Sequence, residues 1–422
     1  MRVIFHIDVN SAFLSWTAAY RVMVLGESLD LRQVPSVVAG DRSSRHSIIL
    51  AKSTPAKGYG IRTGEPLFQA LEKCPSLRVV PPDYRLYVEC SRQMIRLLRQ
   101  VSPAVEQYSI DEAWADMTGT QGLYGPPVQA ADLLRRRIKA ELGFTVNIGV
   151  SSNKLLAKMA GELEKPDRVH SLFPEEIPQK LWPLPVRELF LVGPATERKL
   201  RRIGISTIGQ LAAADPRQLR RHLGKQGEVL WHSANGRWAG PVCPEPAENK
   251  GYGNSVTVSQ DVLDWQTACQ ILLSLCETVG MRLRRDGKSG SCITVSIKNT
   301  AFHTYAHQRQ LSYTVNGTQA LYQAACQALD EVWDRQMPLR QLGVQVTKLS
   351  AERYMQYDLF SEFDPDRQER KARLDETVDG LRNRFGEETI RRARFLNGKV
   401  AHMAGGLAKE RRTGVTKAVE NG

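Results

Sequence analysis

Three carboxylates stand where metal chemistry could be done. Asp8 closes an apolar run, residues 2–7, that reads as a buried strand. Asp111 and Glu112 are neighbours on a tight turn between two strand-like runs, 105–109 and 113–117. Three hard oxygen ligands delivered to one sheet edge could hold divalent cations. Two such ions about 3.5–4 Å apart stabilise both the attacking and the leaving oxygen of a phosphodiester displacement. Without cations, like charges near 4 Å cost roughly 4 kcal/mol per pair at an effective dielectric of 20, so a converged cluster implies Mg²⁺. An Asp-Glu dipeptide in isolation is more often a pair of solvated loop carboxylates, and spacing alone leaves both readings open.

The elements that must position these groups are legible in outline. Strands are expected at 2–7, 47–51, 77–80, 105–109, 113–117 and 145–150. Met94, Leu97, Leu98 and Val101 recur at helical spacing, as do Ala131, Leu134, Ile138 and Leu142, each with charge on the opposite face. Residues 1–10 and 78–170 therefore form an α+β unit with polar residues crowded at strand ends. From 174 to 236 the pattern changes to short helices punctuated by Gly and Pro. A Pro-rich stretch without periodicity, 237–249, reads as an extended, flexible linker. Beyond it, strands at 255–259, 291–298, 305–313 and 343–349 alternate with helices at 264–285 and 318–335, a β-α-β-β-α-β order. Residues 361–422 read as a charged tail with one helix around Leu374, Val378 and Leu381 and a disordered end.

At 422 residues the chain is too long for one ordinary core, so several domains are expected. Lys and Arg total 58 against 45 Asp and Glu, a net +13 that favours a polyanionic partner, nucleic acid first. No run of eighteen apolar residues exists to span a membrane, and the N-terminal residues lack the features of a signal peptide, so a cytoplasmic location is expected. Seven scattered cysteines without a Cys-x-x-Cys pair read as reduced thiols.

Four motifs then fall in register. His6-Ile-Asp-Val-Asn-Ser-Ala-Phe13, Tyr108-Ser-Ile-Asp-Glu-Ala-Trp-Ala-Asp116, Asn153-Lys-Leu-Leu-Ala-Lys-Met-Ala160 and Glu164-Lys-Pro166 together resemble the palm of the Y-family translesion DNA polymerases, nearest the bacterial DNA polymerase IV branch. The resemblance runs from residue 1 to about 360. It implies an α+β multidomain right-hand polymerase: palm 1–10 and 78–170, fingers 11–77, a helical thumb 171–236, linker 237–249, a split βαβ little finger 250–355, a clamp-binding peptide 356–360 and the tail 361–422. The implied activity is template-directed, error-prone addition of dNTPs to a primer 3′ end, by a protein that acts as a monomer.

Carried over residue by residue, Asp8, Asp111 and Glu112 would hold two Mg²⁺ ions, with the Val9 carbonyl completing one coordination sphere. Lys165 would neutralise the triphosphate, as a point charge suits phosphate without bidentate geometry. Phe13, five residues after Asp8, matches the aromatic steric gate that leaves no room for a 2′-hydroxyl. In the fingers the family's Tyr-Glu-Ala-Arg is replaced, leaving Thr54 and Lys57 at the positions of the triphosphate-contacting Tyr and Arg. The fork of an arginine is lost, and weaker nucleotide affinity is expected. Asn10 replaces a second acid and is not assigned to metal.

Residues 189–205 resemble a helix-hairpin-helix with Val192 and Gly193 in the hairpin, whose backbone N–H groups and Lys199 would bind DNA phosphate without reading sequence. Arg284 and Arg285 are the little-finger candidates for DNA contact, and Gln356, Leu359 and Phe360 resemble a sliding-clamp peptide. A nucleotide cyclase would share the palm but have no use for the helix-hairpin-helix, and a non-catalytic accessory protein would have lost the carboxylates, all three of which are present.

Overall fold

In the computed structural model, residues 2–40, 47–245, 248–351, 365–396, 400 and 402 are described, with side-chain surroundings from 369 onward in the last helix. The chain divides into two compact units, 1–247 and 248–412.

The first unit is organised by a five-stranded sheet in the order Ala104–Gln107, Glu112–Asp116, Ile4–Val9, Val146–Ser151, Val169–Ser171. Ile4–Val9 lies central and is buried at every residue, which explains its near-continuous apolar run. The strand's two faces separate two jobs. Phe5, Ile7 and Val9 point into a core with Met94, Leu98, Leu134 and Ile138, contributed by helices Tyr84–Val101 and Pro127–Leu142. Ile4, His6 and Asp8 take the opposite face, which the helix Lys154–Glu162 covers. That helix lies hard against the sheet at Gly149, where a Cβ would collide with the Ala157 carbonyl. Asn153 caps the helix, its side chain accepting from the Leu156 N–H at 3.0 Å.

A smaller sheet in the order Ile49–Lys52, Ser36–Ala39, Arg78–Val80 stands beside helix Ala12–Met23 and carries the short helices Thr54–Gly58 and Leu67–Lys73. Its middle strand, Ser36–Ala39, is the one the sequence pattern does not announce. Helices Pro194–Arg202, Ile208–Ala213, Pro216–Leu223 and Lys225–Ala234 form a separate cluster on Leu155, Leu156 and Met159. The stretch after residue 236 is extended but, up to Cys243, not loose. Trp238 packs on the helical cluster, Val242 is buried against Ile4 and Trp114, and the Cys243 N–H donates to Glu106 at 2.7 Å.

The second unit has the expected β-α-β-β-α-β order with longer strands: Gly251–Val262, Ser289–Asn299, Thr304–Val315 and Leu339–Ser350. All neighbours in the sheet are antiparallel, and helices Trp265–Arg285 and Thr318–Val332 close over its core. The C-terminal region contains the helix expected around Leu374, Val378 and Leu381, and part of it docks on the unit. A 21-residue helix, Pro365–Phe385, brings Asp379 and Arg382 into buried positions, and Phe395 and Val400 join the core of the unit. Buried Glu277 gathers Arg382 at 3.2 Å, Arg392 at 2.8 Å and His402 at 3.0 Å. Composition misleads here because the charges are consumed in pairs with residues far away in sequence.

Candidate active site

Strand pairing places the acidic groups. Asp8 and Glu112 are direct cross-strand partners, so their side chains share one face of the sheet. Helix Lys154–Glu162 runs over that face and adds a third acid: single oxygens of Asp8, Glu112 and Glu162 all lie within 4.8 Å of one another. Two lysines answer them. Lys165 donates to Asp8 and, at 2.7 Å, to Glu162, and Lys158 donates to Glu112 at 2.7 Å. Burial pushes the Asp8 carboxyl up to about 6 against the pull of Lys165, with Glu112 and Glu162 pushing the same way as burial. Beneath them His6 is fully buried, and neither ring nitrogen has a hydrogen-bond partner among the described residues. Burial, then Lys158 and Lys165, hold its pKa well below the usual histidine range, so it is neutral.

Asp111 points elsewhere. Its backbone carbonyl accepts from the Val9 N–H at 3.1 Å, and its carboxylate accepts from Ser109 Oγ at 2.6 Å. Together with Val9, Ser11, Ala12, Phe13 and Lys57 it lines a cavity of about 370 Å³. Phe13 is half-buried there, stacked on Tyr87 with ring centres 4.5 Å apart and 9° between planes. Lys57 and Lys52 bring positive charge to the cavity, whereas Thr54 is exposed at the start of its helix and is not among the lining residues.

Three crowded carboxylates, with Asp8 buried, Glu112 half-buried and Glu162 exposed, already drawing two ammonium groups, fit a hard divalent cation. Glu162, Lys158 and Lys52 were not singled out from sequence. Lys154, Lys158 and Glu162 are spaced by four, which puts them on one helix face, and that periodicity is the signal that could have found two of the three.

The candidate DNA-contacting groups divide. Gly193 caps helix Pro194–Arg202 from an exposed position with open space around its Cα, next to buried Val192, and Lys199 is exposed on the following helix. Arg285 is exposed, its Nε 3.0 Å from Asp286. Arg284 corrects the sequence reading: its guanidinium is buried, donating to Asp379 at 2.7 Å and to the Asn316 carbonyl at 2.7 Å, with Asp375 at 3.4 Å. It anchors the C-terminal helix and has no face left for phosphate. Gln356, Leu359 and Phe360 lie outside the described residues.

Comparison with known proteins supplies the identity of this arrangement. Models of the impB/mucB/samB family match residues 7–162, its C-terminal domain 249–359, and the family's HHH motif 174–205. The chain is 44% identical to DNA polymerase IV of Clostridium acetobutylicum over 94% of this chain and 98% of that protein. It is 39% identical to DNA polymerase IV of Moorella thermoacetica over 93% and 95%, and 34% identical to DNA polymerase IV 2 of Bacillus subtilis over 94% and 95%. Among solved structures a Y-family DNA polymerase chimera shares the fold at TM-score 0.70 and 21% identity, covering 82% of this chain and 98% of its own. DinB from Sulfolobus solfataricus does so at TM-score 0.52 and 22% identity, with the same coverage. The chain belongs to the Y family of DNA polymerases, the DNA-directed enzymes of translesion synthesis. Its branch is that of bacterial DNA polymerase IV.

Proposed function

We propose that two Mg²⁺ ions are held by Asp8, Asp111, Glu112 and the Val9 carbonyl, and that this chain extends a primer 3′ end across damaged template by nucleotidyl transfer at that site. When bound, the ions supply positive charge to the attacking and leaving oxygens. The observation that carries the reading is the in-register pair of buried Asp8 and half-buried Glu112, with Lys165 and Lys158 as its compensating cations. Asp111, which lines the cavity with Val9 and Phe13, would be a further ligand for the ions. Lys165 would exchange the Asp8 carboxylate for a triphosphate oxygen, and Phe13 would form the floor beneath the sugar. Lys57 and Thr54 serve the triphosphate, Lys57 from the cavity wall and Thr54 only if its helix moves.

In the same reading, 1–10 and 78–170 are the palm, 11–77 the fingers, 171–236 the thumb and 250–355 the little finger. Val192, Gly193 and Lys199 hold a DNA phosphate, and Arg285 makes a further phosphate contact. Gln356, Leu359 and Phe360 bind a sliding clamp, and the protein works as a monomer in the cytoplasm. Among the described residues no helix is long and apolar enough to cross a membrane. Deleting 356–360 is expected to remove stimulation by the clamp and leave clamp-free extension nearly unchanged; equal loss in both assays would make the segment structural.

Primer extension by Glu112→Ala tests the metal assignment. Extension is expected to fall below a tenth of wild type, a barrier increase above roughly 1.4 kcal/mol, with DNA affinity retained. Residual extension above that level would refute the role of Glu112.

A further inference from the structure

Two of the seven cysteines face each other inside the second unit. Cys269, on helix Trp265–Arg285, and Cys326, on helix Thr318–Val332, have their sulfurs 3.5 Å apart. Cys269 is buried and Cys326 only partly so, which makes Cys326 the more accessible residue of the two. A disulfide bond is about 2.05 Å long, so closure requires the sulfurs to approach by roughly 1.5 Å.

The surroundings make the two thiols unequal. The Tyr322 hydroxyl is carried one helical turn before Cys326 on the same helix. Arg394 donates to the same hydroxyl at 3.2 Å and is itself fixed by Gln270, which donates to its carbonyl at 2.5 Å. At 3.5 Å either sulfur can carry the shared proton, and the Tyr322 hydroxyl and the Arg394 guanidinium favour the thiolate form of both. The contact with Cys269, then Tyr322 and Arg394, hold the Cys326 thiol below its usual range; the same contact and burial push Cys269 up. The thiolate is the nucleophilic form, and an accessible thiolate backed by a resolving thiol is the arrangement of a redox-active pair.

We propose that Cys326 and Cys269 form a hydroperoxide-oxidisable pair that closes to a disulfide between the two helices of the second unit. The Cys326 sulfur attacks the terminal oxygen of a hydroperoxide; the O–O bond breaks, Cys326 becomes a sulfenic acid, and the other oxygen leaves, protonated, as an alcohol or water. The Cys269 sulfur then displaces hydroxide from the sulfenic sulfur, and its own proton leaves with that hydroxide as water. Two thiols lose two electrons in total, and the hydroperoxide gains them. The bond ties together the helices on which the Phe395 segment rests.

The test exposes the full-length reduced protein to hydrogen peroxide, alkylates the remaining thiols and maps the peptides by mass spectrometry. A linked pair of peptides bearing Cys269 and Cys326, abolished by dithiothreitol, is expected. Cys269→Ser should leave Cys326 as a sulfenic acid that dimedone traps, and Cys326→Ser should leave Cys269 alkylatable. Both variants, kept reduced, should match wild type in melting temperature and primer extension. Peroxide treatment that oxidises exposed Cys243 while Cys269 and Cys326 both remain alkylatable would overturn the proposal. So would oxidation of Cys326 to sulfinic acid with Cys269 still free.

Discussion

Phe13 joins ring contacts to an edge of the core: Tyr87 stacks on it, Tyr84 meets it edge-on at 6.0 Å, it packs against the cluster of Leu14 and Val38, and it lines the cavity. Phe13→Ala is therefore expected to open the cavity floor, lowering discrimination against ribonucleotides while extension with dNTPs persists. If the ring were chiefly a core residue, truncation would cost about 3–5 kcal/mol and lower all incorporation alike. The ratio of dNTP to rNTP efficiency in the variant, read beside its melting temperature, separates the two. At this scale the sequence was most informative where chemistry is local. Asp8 at a strand end could be anticipated from the apolar run before it, whereas Glu112, expected on a turn, opens the strand that pairs with that of Asp8. Glu162 was hidden because its meeting with Asp8 joins residues far apart in the chain, through a helix whose placement depends on Gly149. Arg284 was misread for a related reason: in sequence it is one of a basic cluster, and only the fold shows Asp375 and Asp379 closing over it.

The helix Lys154–Glu162 is the element on which the carboxylate cluster depends, since it presents both Lys158 and Glu162 to the sheet. Its closest approach is at Gly149, where no side chain can be accommodated against the Ala157 carbonyl. Gly149→Ala is thus expected to push the helix outward, costing on the order of 1–3 kcal/mol as overpacking does, and to reduce extension more than a peripheral substitution of equal stability cost. A melting temperature and extension rate both at wild-type values would show that the helix can shift without consequence. Elements with strong periodicity, such as Tyr84–Val101 and Pro127–Leu142, were readable because one face must stay apolar. Ser36–Ala39 was not, since four residues carry too little pattern, and its identity comes from pairing with Ile49–Lys52 and Arg78–Val80. Residues 237–243 were readable as extended but not as docked, because a few apolar side chains such as Val242 leave no period in the sequence.

At the scale of the whole molecule the excess of positive charge makes DNA binding an electrostatic event. Affinity is expected to be independent of sequence and to fall steeply with salt; a flat response would contradict phosphate contact. Arg285→Ala should reduce the salt slope by about one. Arg284→Ala should leave the slope unchanged and instead lower the melting temperature, because breaking a buried pair costs about 3–5 kcal/mol. Manganese can be counted by electron paramagnetic resonance in a complex of the protein with a dideoxy-terminated primer, its template and a matching dNTP. Two ions per complex are expected in the wild type, with loss of stoichiometric binding in Asp8→Ala. No stoichiometric ion in the wild type, or the same two ions in Asp8→Ala, would contradict the assignment of the site.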